Sequence, residues 1–245
     1  MITTFTALLL AHVMADFVLQ SSAMARAKAD RAPGPLALHI LIVAATATLA
    51  IAPTSAAAVL PLLALAGAHL VIDLIKSILP QDRLAPFLLD QAAHLATLAA
   101  TAALWPDLFA SGLWAPATHW LPALMALAAG LILATRAGGF AVGLLMGRWG
   151  DTALPKGLTD GGFLIGLLER GLIFLFVLTD QPQAIGFLIA AKSVLRFDTA
   201  KTDHRTGEYV IIGTLASFAW ALLAAYATLA LFSALPHLGI SLPKS

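Results

Sequence analysis

The chain has 245 residues, of which 60% are hydrophobic and 11% charged, with a formal net charge of +1 and no cysteine. Soluble domains carry about 25% charged residues, so this composition excludes an ordinary soluble fold; at ~20 residues per span it supplies seven or eight transmembrane helices. A near-zero net charge with no basic tract excludes nucleic acid as a partner, and the lack of cysteine excludes disulfides, thiolate metal sites and a cysteine nucleophile.

The first segment, MITTFTALLL, lacks the basic region of a signal peptide and runs into His12 and Asp16, so it reads as a retained helix. The apolar runs are continuous and rich in Ala and Leu instead of alternating, which predicts helices and not a β-barrel. Proline, glycine and charge mark the breaks and give spans at 3–24, 35–53, 57–79, 86–105, 121–147, 159–180, 183–197 and 207–235. The expected fold class is all-α: a polytopic membrane bundle of about eight helices in one membrane domain. Residues 1–105 form a four-helix half carrying His and Asp, and 119–245 a four-helix half carrying Glu, Lys and Arg. The seventh span is short and the fifth long, so one is expected to be re-entrant or tilted. The longest linker, 106–120, has room for a small interfacial helix.

Lysine and arginine in the loops predict orientation. Arg26, Lys28 and Arg31 lie in the first loop, Arg83 in the third, Lys156 in the fifth with Arg148 at its edge, and Lys201 and Arg205 in the seventh. Odd loops are therefore expected on the cytoplasmic side, with both termini outside. Trp105, Trp114 and Trp120 would form an outer aromatic belt, and Trp149 would sit near the inner surface. Gly139, Gly143 and Gly147 recur every four residues, as in helices that admit a close neighbour or in any glycine-rich membrane helix.

An ionisable side chain inside a membrane costs a few kcal/mol on insertion scales, so each such residue needs a partner or a watery cavity. Span one reads His12, Asp16, Gln20 at four-residue steps, stacking them on one face. His39 lies in span two; His69, Asp73 and Lys76 share a face of span three; Asp90, Gln91 and His94 appear in span four in reversed order. At ~1.5 Å per residue, His12, His69 and His94 fall roughly 12–18 Å from the cytoplasmic helix ends, and Asp16, Asp73 and Asp90 roughly 6–12 Å, with His39 in the shallower layer. Reversal of the motif in the antiparallel helix is what a shared, cytoplasm-facing cavity requires.

Histidines and aspartates at this spacing supply the N/O ligands of a divalent metal, zinc, iron or manganese, with spare carboxylates to orient rings or act as base. Two other readings stand beside it: a proton or ion path, and hydrogen-bonded clamps between helices. In the second half, Glu169 and Arg170 sit mid-span and suit an internal or interhelical ion pair. Lys192 and Arg196, one turn apart, suit a phosphate or lipid headgroup, or act as snorkelling anchors; Glu208 follows at the start of span eight.

The blocks AHVMADFVLQ, ALHILI, GAHLVIDLIK, LLDQAAHL, GFLIGLLERGLI, IGFLIAAKSVLRF and EYVIIGTLAS, in this order, resemble an uncharacterised bacterial integral-membrane family, domain of unknown function 3307. The resemblance implies a multi-pass protein of the bacterial inner membrane and brings no activity. GAHLVID is also similar to the His-x-x-x-Asp motif of inner-membrane proteins described as metal-dependent hydrolases.

The expected function is a membrane metalloprotein hydrolysing an amphipathic or lipid-linked phosphate or ester from the cytoplasmic side. His12, His39, His69, His94, Asp16, Asp73 and Asp90 form the ligand pool, one remaining Asp is the base, and Lys192, Arg196 and Lys76 meet the anionic group. Gln20, Gln91, Glu169, Arg170 and Glu208 are supporting residues. Membrane lipids are the expected surroundings and partners. The alternatives are a proton- or ion-coupled transporter, against which the lack of a repeated motif in the two halves argues, and a non-catalytic membrane subunit or scaffold.

Overall fold

The computed structural model describes residues 1–149, 160–200 and 204–236, without the side chains of 195–200. Lys156 and Lys201, used above for orientation, lie outside the described residues. Every regular element among those described is helical: α1 (Ile2–Met14), α2 (Ser22–Ala29), α3 (Pro33–Ile51), α4 (Val59–Lys76), α5 (Leu84–Leu104), α6 (Leu121–Ile132), α7 (Gly138–Met146), α8 (Gly161–Leu178), α9 (Ala184–Ala200) and α10 (His204–Ala234). Wider π-helical turns extend α1 through Ala15–Leu19 and join α6 to α7 through Leu133–Ala137.

Seven of the resulting helical segments are long and apolar enough to cross a membrane, so the chain is an all-α polytopic protein. Their outer surfaces leave Leu41, Leu60, Leu63, Leu89, Leu104 and Leu223 exposed, a distribution suited to lipid and costly in water. The expected seventh span is α9, whose apolar part, Ala184–Val194, reaches only about 17 Å at 1.5 Å per residue, against a hydrocarbon core of about 30 Å. The expected interfacial helix in 106–120 is a series of turns with one short tight helical turn at Ala115–Ala117.

The described residues form two compact units, one comprising those of 1–81, 85–129 and 230–236, the other those of 82–84 and 130–229. In the first, α3 packs against α1, α2 and α4. Prolines open α3, where their missing N–H groups and fixed φ do no harm, and Ser21 caps α2 by accepting the Met24 N–H. The 106–120 turns tie the helix ends together. Ala52, left-handed at φ 47°, terminates α3; its carbonyl accepts the Leu113 N–H at 2.8 Å, and Leu49 O accepts Trp114 Nε1 at 3.0 Å. Thr4 of α1 donates to Pro106 O at 2.7 Å and accepts the N–H of the fully buried Phe109. Polar side chains thus satisfy open backbone groups at the end of α3 and in the 106–120 turns.

The second unit has its own core of Ile173, Phe174, Val177, Phe218, Ala221 and Ala225. Of the glycines repeating at 139, 143 and 147, only Gly139 abuts another helix, at Phe163 and Arg170 of α8; the other two face open space. The closest backbone approaches fall elsewhere, at Gly130 against Thr228 and Phe174, and at Gly138 against Trp220 and Arg170.

At the α3 corner, a Cβ on Gly112 would run into the backbone carbonyls of Ile51 and Ala52, which cannot swing aside as a side chain can. Gly112→Ala is expected to lower the unfolding free energy by about 1–3 kcal/mol, whereas Ala52→Gly, which removes a left-handed alanine, should raise it by about 1 kcal/mol. Thermal unfolding in detergent measures both; equal signs for the two would contradict this description of the corner.

Candidate functional site

The polar residues of the first four spans meet inside the first unit. Asp16 sits in the π-helical turn of α1, where the extra residue per turn breaks the regular four-residue register read from the sequence. His12, Asp16 and Gln20 accordingly acquire three different sets of partners. His12 Nε2 lies 3.3 Å from Gln91 Oε1; Asp16 Oδ1 faces His39 and His69; Gln20, beyond the helix end in an extended conformation, accepts from Lys28 Nζ at 2.9 Å.

At the centre, His39 Nε2 and His69 Nε2 are 3.1 Å apart. Asp16 Oδ1 is 3.4 Å from the first and 3.5 Å from the second, and Asp73 Oδ2 is 3.6 Å from each. Four potential ligand atoms from α1, α3 and α4 therefore cluster with five contacts between 3.1 and 3.6 Å. His69 is also in edge contact with His94 of α5, at 4.0 Å between ring centroids, and His94 stacks on His12 at 4.9 Å and 21°. Three overlapping sets have the spacing to hold a metal ion: Asp16/His39/His69, His12/His69/His94 and Asp73/Asp90/His94.

Charge is distributed unevenly over these side chains. Asp73 Oδ2 is paired with Lys28 Nζ at 2.7 Å, and Asp90 Oδ2 with Lys76 Nζ at 2.6 Å. Among the described residues Asp16 has only imidazoles for ionic partners. Three buried or nearly buried carboxylates thus face two ammonium groups, and the cluster carries one negative charge in excess when its imidazoles are neutral. Among the described residues, and apart from Asp73 Oδ2 on Lys28, five buried side-chain atoms have no hydrogen-bond partner: His39 Nδ1 and His94 Nε2, and His12 Nδ1, Asp16 Oδ1 and Asp90 Oδ1, whose contacts are imidazole–carboxylate approaches of 3.4–3.9 Å. Unpartnered polar atoms are uncommon in folded interiors and call for a water, an ion or a functional role.

The sequence reading brings together here His12, His39, His69, His94, Asp16, Asp73, Asp90, Lys76, Gln20 and Gln91. It missed Lys28, counted above only as a loop lysine. The signal for Lys28 is weak, since α2 has no apolar face to orient it; its ammonium is nonetheless drawn onto Asp73, with a side chain 12% exposed.

Glu169, Arg170 and Lys192 belong to the second unit. Glu169 forms the interhelical ion pair expected of it, with Lys192 Nζ at 2.7 Å, so the charge of Lys192 is engaged within that unit. Arg170, 3% exposed, donates from Nε to Thr135 O at 3.0 Å and from Nη1 to Ser217 Oγ at 3.1 Å. Thr135 lies in the π-helical turn joining α6 to α7, and Trp220 Nε1 donates to Leu133 O of the same turn at 2.8 Å. Both side chains thereby cover carbonyls of the widened turn, a structural use of a buried guanidinium. Glu208 is exposed in the first turns of α10, and the side chain of Arg196 lies outside the described residues.

Residues 4–121 match the model of a family described as a protein of unknown function (DUF3307). The matched span contains every His and Asp of the cluster together with Lys28 and Lys76; Glu169, Arg170, Lys192 and Glu208 fall outside it. No curated protein and no solved structure matches the chain.

Removing one member of a buried ion pair strands the other, at a cost of about 3–5 kcal/mol, while removing both charges costs far less. Lys28→Met is therefore expected to lower the unfolding free energy by about 3–5 kcal/mol, and Lys28→Met with Asp73→Asn to restore more than half of it. Thermal unfolding of the metal-free protein in detergent measures this cycle; a Lys28→Met variant as stable as the parent would show that the pair carries no net interaction.

Proposed function

With a match to a family of unknown function over residues 4–121 as the premise, we propose that the first unit is a metal-dependent hydrolytic centre. In this reading Asp16, His39, His69 and Asp73 hold one divalent ion, zinc, iron or manganese. The substrate is an amphipathic or lipid-linked phosphate or ester reached from the cytoplasmic side of the bacterial inner membrane. The observation that carries the reading is the distance set. A tetrahedral ion bound through N and O at roughly 2.0–2.2 Å separates its ligand atoms by about 3.3–3.6 Å; five of the six separations among these atoms run from 3.1 to 3.6 Å, and Asp16, His39 and His69 by themselves have the spacing to hold an ion. The excess negative charge at Asp16 favours the same occupant, because a cation compensates a buried carboxylate that no ammonium reaches.

Bound there, the ion would acidify a water and polarise the phosphoryl or acyl oxygen under attack. Asp90 is the carboxylate left over to accept a proton, its Oδ1 unpartnered and 3.6 Å from His94 Nδ1. Lys76, with a side chain 28% exposed, is the accessible cation for the substrate's anionic group, and Lys28 stands behind it on Asp73. Lys192 is left out of this role by its bond to Glu169. The cytoplasmic orientation rests on the arginines and lysines of the odd loops.

A second reading has its own observation. His39, His69, His94 and His12 form an unbroken series of ring contacts at 5.2, 4.0 and 4.9 Å, which suits a proton path in a coupled transporter.

Elemental analysis of gently purified protein separates the two. About one equivalent of transition metal is expected, falling below about a tenth in folded Asp16→Ala and His39→Ala variants. A parent protein with less than about a tenth of an equivalent, even after incubation with zinc, iron or manganese, would overturn the hydrolase reading, and proton flux in proteoliposomes that depends on Asp16 would replace it.

A further inference from the structure

His12 and His94 are the two imidazoles of the cluster that lie outside the four-atom set. Each has one nitrogen committed to a neighbouring acceptor. Gln91 Nε2 donates to Asp90 Oδ2 at 3.0 Å, which turns Gln91 Oε1 toward His12 as an acceptor; His12 therefore donates through Nε2 and keeps its lone pair on Nδ1. His94 Nδ1 donates to the backbone carbonyl of Asp90 at 2.8 Å, which leaves the lone pair on Nε2. These two lone-pair nitrogens, His12 Nδ1, 3.9 Å from Asp16 Oδ1, and His94 Nε2, are among the buried atoms without a hydrogen-bond partner, in residues 4% and 1% exposed.

Two acceptors fixed in opposite tautomers require a donor. The rings of His12, His69 and His94 line a small cavity, about 10 Å³, otherwise walled largely by Leu8, Val43, Leu65 and Leu98. That volume is close to the lower bound for holding one water molecule. A ring nitrogen from each of the three histidines lies within 4.8 Å of the others, and a water making two bonds of ~2.8 Å at a tetrahedral angle bridges acceptors about 4.6 Å apart.

We propose that this cavity binds a single water molecule, whose two O–H groups are accepted by His12 Nδ1 and His94 Nε2. The two histidines then form the proton-accepting wall of the site and are not among its metal ligands. This deepens the metal reading above, since it confines the ligands to Asp16, His39, His69 and Asp73, yet the water site itself needs no metal. The wall stands next to the metal set through His69.

The test is nitrogen-15 NMR of histidine-labelled full-length protein in micelles, metal-free and after addition of cadmium-113, with resonances assigned by His12→Gln and His94→Gln. The expected result is an Nε2–H tautomer for His12 and an Nδ1–H tautomer for His94. Both lone-pair nitrogens should show the shift of a hydrogen-bonded acceptor, with cadmium coupling confined to His39 and His69. Cadmium coupling to His12 or His94, a free lone-pair shift that marks a dry cavity, or a doubly protonated ring would each overturn the proposal. Absence of cadmium binding to any histidine would defeat the metal reading alone, because the tautomers and lone-pair shifts of the metal-free protein still decide the water site. Should the glutamine variants fail to fold, density in a structure resolving ordered waters decides the same point: a peak within hydrogen-bond distance of both nitrogens supports the proposal, and an empty cavity contradicts it.

Discussion

The first unit is organised by the cost of placing carboxylates among apolar helices. Leu, Ala and Val supply the surface that α1, α3, α4 and α5 present to lipid and to each other, but they give no reason for one helix register over another. The carboxylates do. Asp73 and Asp90 are tolerated because Lys28 and Lys76 reach them, and those reaches fix α2 against α4 and α4 against α5. Asp16 has no such ammonium, and the imidazoles of His39 and His69 close around it instead. The cluster therefore does two things with one set of side chains: it locks the helices, and it leaves a single negative charge that a proton or a metal ion can balance.

Much of this was legible in the chain. The recurrence of His and Asp four residues apart in three segments, one of them in reversed order, identified the helices that share a site, because helical periodicity turns spacing directly into a face. The same periodicity misled where the helix departs from it: Gln20 lies past a π-helical turn and belongs to Lys28, not to the His12 and Asp16 face. Lys28 itself was invisible, since a lysine on a short polar helix is indistinguishable in sequence from any topology-setting loop residue until the partner across the fold is known. Glu169 announced an ion pair, but its partner could not be read, because partner choice depends on how α8 and α9 pack. The short reach of α9 was foreshadowed by Lys192 and Arg196, which shorten its apolar stretch.

The two units use ionisable residues differently. In the second, Glu169 is neutralised by Lys192, and Arg170 covers carbonyls of a widened helical turn, so each charged group has a structural task. In the first, five buried polar atoms have no hydrogen-bond partner among the described residues, and two of them, His39 Nδ1 and His94 Nε2, have no ion-pair contact either. Interiors that are only structural rarely leave such a remainder, whereas sites that await a ligand do so by design. The family match falls on the same part of the chain, over residues 4–121. It thus ties the family to the cluster and not to the Glu169–Lys192 pair.

The central claim is that Asp16, His39, His69 and Asp73 form the coordination set of one cation. Anomalous diffraction at the zinc edge, from crystals of the full chain grown with zinc, addresses it most directly. The account predicts one strong peak within about 2.0–2.2 Å of Asp16 Oδ1, His39 Nε2 and His69 Nε2. A zinc-grown crystal with no peak among these atoms, or with zinc held only elsewhere in the chain, would contradict it.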